Sequence, residues 1–252
     1  MMQNIIQISS PNFDKRPLGC VIDHVILHYT EISFEETLAK FCDLEQVVSS
    51  HYVIKASGQI LACVPEALRA RHAGISHFRN RNNFNDFSIG IEMVNSGKER
   101  FSNAQMQSCI ELCLSLKRKY NIPTENFLGH SDIAPSRKID PGLFFDWDLL
   151  QKYNLGIVFP IMQNSSDLDQ VLLNKGDESE HVKKLQNQLA KFGYNIRITG
   201  AFDKQTSDVV RAFQSHFSQK SIVSRFGHDY YCLDNYFLWD QRSDLILSQM
   251  LG

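Results

Sequence analysis

The nine residues from Val21 to Tyr29, VIDHVILHY, constrain the fold of this chain most. They are rich in β-branched and aromatic residues and apolar on both faces, which predicts a central strand with covering layers above and below. His28 then lies at the C-terminal end of that strand. A second run, SIGIEMV from Ser88 to Val94, puts Ile89, Ile91 and Met93 on one face and Gly90 and Glu92 on the other. Between the two runs, Glu35 to Leu44 reads as a helix, and His51 to Val64 as two strands joined at Ser57-Gly58. The stretch from Arg69 to Asp86 is rich in Arg, Asn and Gly without a regular apolar period, and is expected to be a long loop of the kind that carries function. Ser102 and Gln105 predict a capping box. It opens a helix bearing Met106, Cys109, Ile110, Cys113 and Leu116 that closes on Lys117, Arg118 and Lys119 ahead of Pro123. Asn126 to Gly129 predicts a short strand leading into GHSDIAPSRKIDPG. Strands interspersed with helices give an α/β layered fold.

After Trp147 the pattern weakens, and the stretch through Asn164, Ser165 and Ser166 reads as a linker. One unit is therefore expected over residues 1–165 and a second over residues 166–252. In the second, Ser179 to Phe192 carries Val182, Leu185 and Leu189 on one face and stops at Gly193. Asp203 to Phe217 carries Val209, Val210, Phe213 and Phe217. Two such helices bury little alone, so the segment holding Tyr230, Tyr231, Phe237, Leu238 and Trp239 is expected to supply a third and complete a small three-helix bundle. Phe202, Phe213 and Phe217 are read as its core rather than as a platform for sugars.

Among the 252 residues, 26 basic and 28 acidic side chains leave a formal charge of −2. No global attraction to nucleic acid or to an anionic membrane follows, so any polymer substrate must be recognised locally. No apolar run reaches the ~18 to 20 residues needed to span a bilayer. Pro11, Asp14, Lys15 and Arg16 interrupt the apolar core that a secretory signal requires. The six cysteines form no CxxC pair, and Cys109 and Cys113 are read as core-packing residues rather than thiolate ligands.

Three polar groups stand out: His28 at a strand end, His130 in GHSDIAPSRKIDPG, and Asp140 near the close of that motif. Two neutral imidazoles and a carboxylate are suitable ligands for Zn²⁺, and three protein ligands leave a fourth position open for water, as a catalytic site requires. Spacing alone does not select this reading, because a lone strand histidine is usually a hydrogen-bonded structural residue.

Taken together, VILHYT, SSHYVI, RHAGIS, RNNFNDFSIGIEMVN and GHSDIAPSRKIDPG resemble, in order and spacing, the zinc peptidoglycan amidases of the AmpD and AmiD type. Phage lysozyme-type amidases and peptidoglycan recognition proteins share that fold, and the resemblance covers about residues 20 to 150. It implies a mixed central β-sheet flanked by helices, with His28, His130 and Asp140 as zinc ligands, Glu92 as catalytic acid/base and Lys138 as stabiliser of the tetrahedral oxyanion. It also implies hydrolysis of the amide between intact or anhydro N-acetylmuramic acid and the first L-alanine of the stem peptide. His72, Arg71, Asn83 and His51 are carried as candidates for substrate contact, although strand packing is the favoured reading of His51. The tail, KGDESEHVKKLQNQLAKFGYNIRITGAFDKQTSDVVRAFQSHF, resembles the peptidoglycan-binding module found beside wall hydrolases. That architecture is most similar to the AmiD type and favours the cell envelope, whereas the lack of a readable signal is compatible with the cytoplasm. Peptidoglycan and muropeptides are the expected partners. Two other classes compete: a non-catalytic wall-recognition protein, which would typically lack one of the ligands present here, and a stem-cutting zinc peptidase, whose HExxH or HxH signatures the chain lacks.

Overall fold

In the computed structural model, residues 5–157, 166–226 and 238–252 are described, and all structural statements concern these. VIDHVILHY forms the strand His24–Tyr29, with all six residues buried. It pairs in parallel with Ser88–Met93 on one side and with Phe127–Gly129 on the other. Beyond Ser88–Met93 the sheet continues through the parallel strand Tyr52–Ile54, turns antiparallel at Ile60–Ala62 and ends on Ile6–Gln7. This is the expected mixed central sheet, six strands wide. Val25, Ile26, Leu27, Val53, Ile54, Ile89, Ile91 and Met93 are fully buried. At about 1.5–3 kcal/mol for each large aliphatic side chain removed from water, these strands contribute substantially to the driving force for folding. The helix Phe34–Cys42 packs Phe41 against Val53, Leu61 and Cys63. The hairpin turn falls at Gly58, which has φ +88° and whose absent Cβ would lie 2.8 Å from the Ala104 carbonyl oxygen, so glycine is required on both counts.

Two local expectations are corrected. Ser102 caps the helix Asn103–Tyr120 by accepting from the Gln105 amide N, but the Gln105 side chain does not reach back. It donates instead to the carbonyls of Ile54 and Val94, at 2.9 and 3.1 Å, because buried strand-end carbonyls need donors more than an exposed cap does. A reciprocal capping box forms at the earlier helix, between Ser33 and Glu36. The stretch from Arg69 to Asp86 is also more ordered than a loop. Leu68–Ala70 pairs antiparallel with Phe13–Lys15, placing Arg69 opposite Asp14, and short strands at His77–Phe78 and Arg81–Asn82 precede a 3₁₀ turn at Phe84–Asp86. Cross-strand charge pairing stabilises the first of these segments, and an apolar period could not reveal it.

The chain divides into two compact units. The first comprises Met1–Ser76, Asn82–His130 and Asp140–Ile157; the second comprises His77–Arg81, Ser131–Ile139 and Val158–Gly252. Within the second, helices span Glu180–Phe192, Lys204–Phe217, Gln219–Phe226 and Gln241–Leu251, one more than expected among the described residues. Trp239 lies not in a helix but in a two-residue strand, Trp239–Asp240, paired with Val171–Leu173. The rings of Phe192, Phe213, Phe217 and Trp239 pack at 5.2–5.7 Å, and Phe202 is buried, so the aromatics form a core. In the same unit the buried Asp132 carboxylate meets His216 Nδ1 at 2.7 Å and accepts from the Tyr194 hydroxyl at 3.3 Å. Tyr230, Tyr231, Phe237, Asn164 and Ser165, on which other expectations fall, lie outside the described residues. No helix among the described residues is long and apolar enough to cross a membrane.

Candidate metal centre

Parallel pairing aligns His28 directly with Glu92, and side chains at one register in a parallel pair share a face. His130 immediately follows the strand Phe127–Gly129 and opens a one-turn helix, His130–Ile133. Three neighbouring strands thus deliver two imidazoles and a carboxylate to their C-terminal ends, the edge where parallel sheets usually hold ligands. Asp140 closes the group. His28 Nδ1, His130 Nδ1 and Asp140 Oδ2 form a triangle with every side 3.0 Å, and all three residues are buried.

Three lone-pair donors so close repel one another unless a cation lies among them. For an ion bonded at about 2.0–2.1 Å in a tetrahedral sphere, neighbouring ligand atoms lie about 3.3 Å apart, so the triangle fits Zn²⁺ with little adjustment. Burial alone would raise the Asp140 carboxyl, but the adjacent His130 and His28 overcome it and hold the group well below the usual carboxylate range.

Each histidine is engaged through its other nitrogen as well. His130 Nε2 lies 3.1 Å from the Ala73 carbonyl oxygen, which can only accept, so Nε2 carries the proton and Nδ1 presents its lone pair. His28 Nε2 lies 3.0 Å from His72 Nδ1. His72 is buried, and its imidazole is pushed well below its ordinary value by burial first and then by His28, His51 and His130. Its ring lies across Gly90, where an added Cβ would come within 2.4 Å of His72 Cγ. This accounts for the glycine in the strand.

The remaining sequence candidates are spread more widely. Glu92 is half-buried on the His28 register. Lys138 is half-buried two residues before Asp140, with its backbone N–H bonded to the Ala134 carbonyl, and falls in the segment grouped with the second unit. The Arg71 guanidinium pairs with Asp14 at 2.7 and 3.0 Å, and Arg69 pairs with Asp14 and Asp86. Arg79 lies over the Phe78 and Phe192 rings. Asn83 is exposed, with φ +58°, ahead of the 3₁₀ turn. Sequence reasoning missed three residues that build the surroundings. Ser88 and Asn85 hold the His72 region, and Arg16, read only as interrupting an apolar run, donates to the carbonyls of Glu66, Asn85, Asp86 and Ser88. Little local marks these roles: Ser88 meets His72 16 residues away, Asn85 meets His72 and Ala73 13 and 12 residues away, and the carbonyl partners of Arg16 lie 50–72 residues away.

His51 is packed rather than exposed: Nδ1 accepts from the Gly90 N–H at 3.0 Å, and Nε2 lies 3.1 Å from the Leu68 carbonyl oxygen. Burial, reinforced by the Arg16 guanidinium and opposed by the Leu68 carbonyl and Glu66, pushes the imidazole down to about 3. The folded protein thus binds fewer protons than the unfolded chain between about pH 6.5 and 3. In that window His51 should cost stability as pH falls, by up to about 1.4 kcal/mol per pH unit, and contribute no slope above it. Urea unfolding of metal-free protein from pH 7 to 4 should show a shallower decline for His51→Asn than for the parent. Parallel curves would remove His51 from this account.

Comparison with known proteins places these residues in context. Residues 18–143 match the family described as N-acetylmuramoyl-L-alanine amidase, and residues 178–220 match a peptidoglycan binding domain. The chain is 34% identical over 213 residues to N-acetylmuramoyl-L-alanine amidase AmiD of Escherichia coli, covering 77% of this chain and 74% of that protein. It is 37% identical over 161 residues to 1,6-anhydro-N-acetylmuramyl-L-alanine amidase AmpD of Haemophilus influenzae, covering 56% of this chain and 88% of that protein. Among solved structures, E. coli AmiD in complex with the substrate anhydro-N-acetylmuramic acid-L-Ala-D-γ-Glu-L-Lys superposes with a TM-score of 0.73 at 29% identity, covering 94% of this chain and 92% of that one.

Proposed function

The chain belongs to the N-acetylmuramoyl-L-alanine amidase family, and from that premise we propose that it is a zinc amidase. It hydrolyses the amide between intact or anhydro N-acetylmuramic acid and the L-alanine of the peptidoglycan stem, in wall turnover or recycling. The observation that carries this reading is the buried triangle of His28, His130 and Asp140 beside Glu92. When bound there, Zn²⁺ would act as a Lewis acid toward the scissile carbonyl and make an attacking water more acidic.

The other groups follow from what the reaction needs. Glu92, on the His28 register and half-buried, takes the proton of the attacking water and delivers it to the departing L-alanine nitrogen, a transfer that requires one carboxylate close to both. Lys138 supplies a positive charge to the oxyanion that develops on the carbonyl. Asn83 and Arg71 are assigned to stem-peptide contact, Arg71 because a guanidinium can grip a carboxylate bidentately, although in this structure its Nε and Nη2 are held by Asp14. The tail is assigned to the wall polymer on its match to a peptidoglycan binding domain, and the envelope is the compartment such a module suits.

Mass spectrometry of products from defined muropeptides, with and without a chelator, tests the reading. Stem peptide headed by free L-alanine is expected, with its release abolished by the chelator and restored by zinc. Cleavage inside the stem would make the protein a peptidase, and chelator-resistant release would remove zinc.

A further inference from the structure

Each histidine of the triangle can coordinate through Nδ1 only if its proton resides on Nε2, and the structure provides a device that enforces this. The Ser88 hydroxyl donates to the Phe84 carbonyl, so its only proton is committed and its oxygen must accept from His72 Nε2, 3.2 Å away. With its proton on Nε2, His72 has a bare Nδ1, which accepts from His28 Nε2 at 3.0 Å. That bond leaves His28 Nδ1 without a proton, facing His130 Nδ1 and Asp140 Oδ2. The next residue, Ala73, uses its carbonyl to accept from His130 Nε2. The dipeptide is itself fixed, because the Asn85 side-chain oxygen accepts from the N–H of His72 at 3.0 Å and of Ala73 at 2.7 Å.

We propose that His72 is a positioning residue for the metal centre: the pair His72–Ala73, held by Asn85 and polarised through Ser88, orients both histidine ligands and fixes their tautomers. This rests on the zinc reading above but assigns new roles to four residues. It also moves His72 from substrate contact to ligand support, consistent with its burial and with both ring nitrogens being occupied. Partners of this kind typically influence metal affinity by about 10- to 100-fold.

The device is tested on the full-length zinc-loaded protein by ¹⁵N-histidine NMR, which reports the protonated nitrogen of each ring. His28, His72 and His130 should all appear as Nε2–H tautomers. A His72 ring protonated on Nδ1 would overturn the relay whatever any variant does. Competition with a chromophoric chelator should then show zinc bound about 10- to 100-fold more weakly by His72→Ala and by Asn85→Ala, and the Co²⁺-substituted visible spectrum should shift. His72→Asn, whose Oδ1 can accept in place of Nδ1, should recover much of the affinity. Should the alanine variants misfold, Ser88→Ala keeps both rings and should loosen the His72 tautomer in the NMR spectrum; an unchanged tautomer there would also overturn the proposal. A parent protein that binds no zinc defeats the underlying reading, whereas tight zinc in the parent and an unaltered affinity in His72→Ala defeats this inference alone.

Discussion

His130→Ala is expected to purify without stoichiometric zinc and to release no L-alanine-headed peptide above background. The triangle supplies three ligand atoms 3.0 Å apart, and a chelate of two binds far more weakly than one of three. The loss should exceed the about 10- to 100-fold expected for removing a mere hydrogen-bond partner of a ligand. Folding of the remainder should survive, because the sheet core of Val25, Ile26, Leu27, Ile89 and Ile91 is untouched. The same substitution should abolish the stabilisation that zinc gives the parent, which at ligand concentrations about a thousandfold above Kd amounts to about 4 kcal/mol. Metal analysis together with thermal unfolding, with and without zinc, checks both statements. Stoichiometric metal with normal turnover in His130→Ala would dismantle the ligand assignment.

Glu92→Gln separates catalyst from ligand. The carboxylate lies on the His28 register but outside the triangle, so the amide variant should keep its zinc and its fold. What it loses is a group that can carry a proton from water to the leaving nitrogen. General acid/base catalysis contributes about 10²- to 10⁴-fold, and kcat should fall by that much. Lys138→Ala should fall by about 10²- to 10³-fold, the usual cost of removing one oxyanion donor. KM should move little in both, since the lost interactions arise in the transition state. A zinc-replete Glu92→Gln enzyme with near-parental kcat takes Glu92 out of the mechanism, and a zinc-free one makes it part of the metal's support.

How legible each of these positions is in the sequence depends on the range of the interaction that fixes it. VIDHVILHY and SIGIEMV declare their strands because two-sided apolarity and alternation are properties of adjacent residues, and the register then brings His28 to Glu92. The helix starting after Ser102 is equally legible, but the destination of Gln105 is not, since Ile54 lies 51 residues away. Asp14 and Arg69 are separated by 55 residues, so the strand they stabilise reads as loop from the sequence alone. His72 is the most instructive. In RHAGIS it reads as a polar residue on a functional loop; only the fold, by setting Gly90 beneath its ring and His28 and Ser88 at its two nitrogens, gives those nitrogens internal partners.

The make-up of the second unit bears on how this protein can be divided or recombined. Ser131–Ile139 is counted there, yet it is threaded between His130 and Asp140, inside the stretch that matches the amidase family. Cutting at residue 165 therefore removes Tyr194 and His216 while leaving behind Asp132, a buried carboxylate with which both of them hydrogen-bond. Truncation there divides the second unit itself instead of separating the two units. Any division or exchange of the tail in this chain therefore has to take account of Ser131–Ile139, which belongs to the same unit although it lies far upstream in the sequence.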